Sequence, residues 1–295
     1  MLSYLGMKVE ILNPKAYCAG VSRAIEIARK ARSEHPNKEV YVLGMLVHNN
    51  YVVKSLEQEG IKTAYIINDI PDGSVVIFSA HGHKEELDAK AKKKKLVVYD
   101  SVCPKVLSNI KLIKENLAKG HQIIYIGQEG HPEAEACLSL NKKVILFHKN
   151  ILKNYQLIND ESPLVINQTT LNILDIKHIH EDIKKAFPKA RIVDEICPST
   201  RLRQQAIQEL DDDVDLIIVV GDMYSSNTRR LFEIAKQSHP KVASIMISSC
   251  DELDTALLQN KNHIVISSGA STPMEIIDAV YNKIKNYSIT FGNFS

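Results

Sequence analysis

The chain has 295 residues, 44% hydrophobic and 24% charged, with 37 lysines and arginines against 35 acidic residues and a formal net charge of +2. That is the composition of a globular protein long enough for several cores, and its balanced charge excludes the basic profile of a nucleic-acid binder. No apolar run approaches the ~18 residues of a membrane helix, and "MLSYLGMKVEIL" lacks the basic and apolar regions of a secretory leader, so no membrane association and a cytoplasmic location are expected. Met7 is a second candidate start, which would make residues 1–6 an extension.

In chain order, "KVEIL" reads as a strand, followed by a short loop, Cys18 and an amphipathic helix. The apolar run in "YVLGMLVHNN" ends in a polar loop carrying His48, and a helix follows. The run in "VVIFSAHG" ends in a second loop carrying His81. The lysine-rich "AKAKKKK", residues 89–95, reads as the solvated face of a helix end. "KLVVYD" is a strand leading to Cys103 and another helix. "IIYIGQEGHP" runs from a strand into His131, Pro132 and Glu133. Pro132 suits the first helical position, and Glu133 suits the positive end of the helix dipole. "PLVINQTT" ends at Thr169 and Thr170, and "ARIVDE" leads to Cys197 and a third such helix. The acidic "DDDVD", residues 211–215, reads as solvated. "LIIVVGDMYSSN" ends at Ser225, Ser226 and Asn227, and "HIVISSGAS" ends at Ser271.

These elements repeat three times. Each of Cys18, Cys103 and Cys197 lies between a strand and a helix. His48, His131 and Asn227 follow the three cysteines at about 30 residues, and His81, Thr169 and Ser271 follow at about 60–75. The repeat predicts an N-terminal strand and loop over 1–17, α/β units over 18–102, 103–196 and 197–287, and a short tail over 288–295. Alternating apolar strands and helices imply mostly parallel sheets covered on both faces. In such sheets ligands bind beyond the carboxyl ends of the strands, where all the marked loops lie. The expected fold is therefore three similar α/β domains in a pseudo-threefold, trefoil arrangement that aims the loops at one centre.

The chain has five cysteines and no C-x-x-C pair, which argues against a disulfide framework and against close-spaced zinc motifs. Three cysteines at equivalent repeat positions, each at a helix start, would form a thiolate set selecting zinc, copper(I) or an iron–sulfur cluster. Three ligands leave one coordination position open. Cys137 and Cys250 fall outside the repeat and read as structural. The hydroxyl, amide and imidazole groups before helix N-termini suit an anion with several oxygens, such as a diphosphate.

The stretches "CAGVSRAI", "VHNNYVV", "FSAHG", "GHPEAE", "NQTT", "SSN" and "GAS", in this order and with the three cysteines, resemble the 4-hydroxy-3-methylbut-2-enyl diphosphate reductases over about residues 7–285. The resemblance implies one 4Fe–4S cluster held by Cys18, Cys103 and Cys197, its open iron taking the substrate hydroxyl. It implies His48, His81, His131, Ser225, Ser226, Asn227 and Ser271 around the diphosphate, with Thr169 and Glu133 near the substrate hydroxyl. The implied reaction is a reductive dehydration giving isopentenyl and dimethylallyl diphosphate, the last step of the methylerythritol phosphate route, with electrons from a ferredoxin or flavodoxin. Glu133 is the expected proton source, with Thr169 passing the proton on. Lys105 stands where the family pattern has an apolar residue, and His83 and Lys84 are additions beside His81. Three other readings compete: a cluster-dependent hydro-lyase on a phosphorylated substrate, which would need no electrons; a non-catalytic iron–sulfur redox protein; and a zinc-binding structural protein.

Overall fold

The computed structural model describes residues 7–148 and 158–291; the 1–6 extension and the last four residues of the expected tail lie outside the described residues. The described chain forms two compact units, one over 19–197 and one made of residues up to Cys18 together with those from Pro198 onward.

The first unit holds two four-stranded sheets. In one, β2 (Val40–Leu43), β3 (Ile61–Ala64), β4 (Val75–Phe78) and β5 (Val97–Asp100) lie in the order β3-β2-β4-β5. In the other, β6 (Ile123–Ile126), β7 (Val144–Leu146), β8 (Leu164–Asn167) and β9 (Arg191–Val193) lie in the order β7-β6-β8-β9. The helices are α1 (Ala19–Glu34), α2 (Asn50–Gln58), α3 (Glu86–Lys93), α4 (Pro104–Ala118), α5 (Pro132–Leu138) and α6 (Ile173–Ala186). The second unit has a single sheet of β1 (Lys8–Ile11), β10 (Leu216–Val220), β11 (Ala243–Ile247) and β12 (His263–Ser268), in the order β1-β12-β10-β11, with α7 (Pro198–Gln208), α8 (Ser226–Ser238) and α9 (Met274–Phe291). All strand pairings among the described residues are parallel.

The three sheets share one plan. Five of the six middle strands, β4, β6, β8, β10 and β12, are mostly apolar and buried along their whole length, while β2 is buried at alternate residues. Helices on both faces demand this of a parallel sheet. Outside them lie a short edge strand (β3, β7 or β11) and, on the other edge, a strand that precedes a cysteine (β5, β9 or β1). These last strands are only half-buried. The strand before each cysteine thus completes one sheet, and the helix after it serves another. In the first unit, β5 ends the first sheet and α4, after Cys103, packs on β6 and β8 of the second. Likewise β1, from the chain's start, pairs in register with β12 and adds Val9 and Ile11 to the core of the last sheet.

Apolar spacing sets how helices lie on the sheets. On α1 the buried residues are Val21, Ala24, Ile25, Ala28 and Ala31, one helical stripe. Its alanines let the helix axis come close to β2, β4 and β5. The α9 helix continues to Phe291, past the point where the sequence suggests a tail begins.

Candidate active site

The loops beyond the strand ends, together with the first turns of the helices that follow them, carry the candidate cluster and substrate residues expected from the sequence. In the first unit, β2 leads to His48, β4 to His81, β6 to His131 and Glu133, and β8 to Thr169, with Cys103 and Cys197 at the ends of the last strands. In the second unit, β1 leads to Cys18, β10 to Ser225, Ser226 and Asn227, and β12 to Ser271.

Each cysteine has the same backbone anchor. The N–H of Cys103 donates to the carbonyl of Ala80 (2.9 Å), that of Cys197 to Thr169 (3.1 Å) and that of Cys18 to Ala270 (3.0 Å). The three acceptors lie in the loops that follow β4, β8 and β12, beside His81, in "NQTT" and beside Ser271. Cys103, Cys197 and Cys18 each immediately precede a helix, α4, α7 or α1, and all three are half-buried. The helix dipole therefore places its positive end at each sulfur. Cys137 is different: it lies on the buried face of α5, wholly inside the core, and burial pushes its thiol up to about 12. Cys250, in a 3-10 turn, lies off the repeat as well.

In the first unit the three histidines converge. One ring nitrogen from each of His48, His81 and His131 lies within 4.8 Å of the others. The His48 and His81 rings stack, with centroids 4.0 Å apart and planes 15° from parallel, and His131 meets both edge-on at 5.3 and 5.6 Å. His81 is held well below its usual pKa, first by desolvation and then by the two neighbouring imidazoles. Its Nε2 is buried with no hydrogen-bond partner. The loop bearing it needs Gly82: φ there is +92°, and a Cβ would press on Ala136 Cβ at 3.3 Å and Val106 Cγ1 at 3.4 Å.

His131 caps α5, and its Nδ1 accepts the backbone N–H of Glu133 at 3.2 Å. An accepting Nδ1 is unprotonated, so in the neutral ring Nε2 carries the hydrogen and can donate to an anion. Pro132 takes the first helical position, where no N–H is needed. Glu133 is 1% exposed, and Thr169 binds its carboxylate twice: the N–H of Thr169 to Oε1 at 2.9 Å and its hydroxyl to Oε2 at 2.7 Å. Desolvation raises the Glu133 carboxyl to about 7, against the lowering effect of the two Thr169 bonds and the Lys105 charge. Burial therefore outweighs the helix dipole, which favours the anion. The result is an acid that exchanges its proton near neutrality.

The second unit presents a polar pocket rim of its own. Ser225 caps α8 by accepting the N–H of Thr228 at 3.3 Å. Asn227 is 5% exposed, and neither its amide nitrogen nor its amide oxygen has a hydrogen-bond partner. Buried polar groups are seldom left so; an oxygen-rich anion would accept from the amide nitrogen, while the amide oxygen calls for a donor such as a hydroxyl or water. Gly221 and Gly269 let this loop close on Thr228: a Cβ would come within 2.6 Å and 2.3 Å of its Oγ1. Ser271 is buried at the neighbouring strand end.

Sequence reasoning did not single out two buried polar residues in these loops. Gln168 is fully buried; its Oε1 accepts the Gln128 N–H at 2.9 Å and its Nε2 donates to Thr170 at 3.1 Å, tying the His131 loop to the Thr169 loop. Asp222, two residues beyond β10, is buried and accepts the Tyr224 N–H at 2.9 Å. Its signal was available: a carboxylate one residue beyond the Gly that ends an apolar strand. Among the described residues, no helix is long and apolar enough to cross a membrane.

Comparison with known proteins places this site in a family. The "LytB protein" family model matches residues 9–285. The chain is 37% identical to a 4-hydroxy-3-methylbut-2-enyl diphosphate reductase of Macrococcus caseolyticus, covering 95% of this chain and 90% of that protein. It is 35% identical to the protein of the same name from Symbiobacterium thermophilum, covering 96% and 98%. Its fold matches the solved E-1-hydroxy-2-methyl-but-2-enyl-4-diphosphate reductase of Plasmodium falciparum with a TM-score of 0.88 at 31% identity, over 94% of this chain and 87% of that one. A second solved structure, titled as the terminal enzyme of the non-mevalonate pathway, matches with a TM-score of 0.67 at 28% identity, over 95% and 99%. Matched by the family model over residues 9–285 and by reductases 35–37% identical over nearly its full length, the chain belongs to the LytB family of 4-hydroxy-3-methylbut-2-enyl diphosphate reductases.

Proposed function

We propose that this protein reduces 4-hydroxy-3-methylbut-2-enyl diphosphate to isopentenyl and dimethylallyl diphosphate, consuming two electrons and two protons and releasing water. Cys18, Cys103 and Cys197 are assigned as the ligands of one 4Fe–4S cluster. The donor set fits such a group. The three thiols occupy equivalent positions, each with its N–H fixed to the next loop and each at a helix start, whereas Cys137 is enclosed in the core. When bound, the cluster would pass electrons from a ferredoxin or flavodoxin and act as a Lewis acid toward the substrate hydroxyl.

The protein's own residues do the rest. His48, His81 and His131 are proposed to hold diphosphate oxygens, together with Ser225, Ser226, Asn227 and Ser271. His131 donates from Nε2 because its Nδ1 is committed to the helix cap. Partnerless groups at His81 and Asn227 support an oxygen-rich ligand. Glu133 carries the proton that turns the departing hydroxide into water, and Thr169, whose hydroxyl it binds, hands the proton on. The three α/β units over 18–102, 103–196 and 197–287 are proposed to surround this centre.

One observation carries the reading: a buried carboxyl whose pKa burial raises to about 7, at the helix start that also bears a member of the histidine group. Protein purified without air should contain iron and sulfide, and should consume the diphosphate substrate only with a reductant. Cys18→Ser, Cys103→Ser and Cys197→Ser should each lose iron, while Cys137→Ser and Cys250→Ser keep it. Turnover without a reductant would instead identify a hydro-lyase.

A further inference from the structure

Each cysteine is preceded by a segment that a basic helix residue holds from one repeat earlier. On α1, the Arg23 guanidinium donates to the carbonyls of Ser101 (3.4 Å) and Val102 (3.0 Å), immediately before Cys103. On α7, Arg203 is 2% exposed; it donates to the carbonyl of Ala16 (2.7 Å), two residues before Cys18, and to that of Ser268 (3.2 Å). On α4, Lys105 pairs with the carboxylate of Glu195, two residues before Cys197. Asn109, fully buried one turn on, turns its amide nitrogen to the same carboxylate at 3.0 Å, and Asn167 accepts the Glu195 N–H at 3.1 Å. In every case the helix that follows one cysteine grips the approach to the next, and the series closes from the third cysteine back to the first.

Two of these grips use a guanidinium on backbone carbonyls. The third joins two side chains. Burying charge costs free energy, so a cation held against each of the three segments, Arg203 buried and Arg23 and Lys105 half-buried, argues for a shared task. Loose segments before the cysteines would let each thiol move, and metal sites depend on the groups that hold their ligands in place.

We propose that Arg23, Lys105 and Arg203 are positioning residues that fix the segments before Cys103, Cys197 and Cys18, and that the Lys105–Glu195 pair sets how firmly Cys197 holds the cluster. The proposal rests on the cluster reading above. The test compares anaerobically reconstituted parent protein with Lys105→Met, Glu195→Gln and the charge-exchanged double variant Lys105→Glu with Glu195→Lys. Iron release to a chelator is followed by the visible absorption of the cluster, and amide exchange at residues 195–197 is measured in the metal-free protein. Each single variant should release iron roughly tenfold faster, as expected for loss of a charge-assisted hydrogen bond. Exchange at the Cys197 amide should quicken, and the exchanged pair should restore both readings to near the parent's.

A role in overall stability alone would lower the melting temperature of the metal-free protein and leave exchange at 195–197 in step with the rest of the chain. Single variants that match the parent in iron release and local exchange overturn the proposal, as does a charge-exchanged pair that fails to rescue either reading. Parent protein that takes up no iron overturns the cluster reading, and the assignment of these residues to cluster positioning with it.

Discussion

At the scale of single residues, the proposed chemistry rests most on Glu133. Its carboxyl has an ordinary value of 4.5 and is raised to about 7 by burial. Between those two values the folded protein keeps a proton that the unfolded chain has lost. Stability therefore falls as pH rises through this window, and the loss is complete above it, at ~3 kcal/mol for a shift of this size. Glu133→Gln removes that penalty and keeps the shape. The Thr169 hydroxyl can reverse to accept from the new amide while the Thr169 N–H still finds an oxygen. Relative to the parent, the variant should therefore gain thermal stability from pH 5 to pH 8. Its turnover should drop at least ~100-fold, the low end for a positioned acid. In the parent, a rate limb that depends on protonated Glu133 should fall as pH rises through about 7, and the variant should lack it. A Gln variant with parental turnover at every pH would return Glu133 to a helix-end role.

At the scale of elements, the strand-end loops trade stability for binding. Asn227, second residue of α8, keeps both polar amide atoms buried and partnerless. Such a group costs ~1–3 kcal/mol until something pairs with it. Asn227→Leu replaces the amide with an apolar group of nearly the same shape. The expected outcome has two signs: melting of the ligand-free protein rises, and the further rise caused by inorganic diphosphate shrinks. Melting curves with and without inorganic diphosphate check both, and an unchanged diphosphate shift would place the anion elsewhere. The same scale explains what was legible in the sequence. Runs such as "VVIF" and "LIIVV" announce themselves because both faces of a parallel strand must be apolar. Each is followed by its polar loop, so the site residues could be read in order. The edge strands β3, β7 and β11 were not singled out. "IKTA" and "VIL" are short and lie on one sheet edge, where mixed residues are tolerated and no periodicity forms. The hydrogen bond from Thr169 to Glu133 joins residues far apart in sequence, and no local pattern encodes it.

At the scale of the whole molecule, the chain's start and its end depend on one another. The repeat in the sequence could mark residues 1–17 only as a strand and loop ahead of the first unit, because pairing across 250 residues leaves no local trace. The structure pairs β1 with β12. The ladder includes Lys8 N–H to Asn262 O at 2.7 Å and Leu12 N–H to Ile266 O at 2.8 Å. Donors facing β12 recur every second residue along a strand, so the N–H of Glu10 faces β12 and those of Val9 and Ile11 face away. Proline at position 10 would remove a ladder donor from the strand that carries Val9 and Ile11 onto the core of the last sheet. Proline at position 9 removes no donor to β12. Loosening β1 also frees the segment before Cys18, which Arg203 and the Ala270 carbonyl otherwise hold. Glu10→Pro should therefore speed amide exchange in β12 and β10 while β4 and β8 keep parental protection, and the fraction of chains loaded with iron should fall. Val9→Pro should disturb exchange in β12 less. Equal exchange in all four strands for both variants would mean that β1 contributes nothing to the last sheet, and that the chain's two ends stabilise separately.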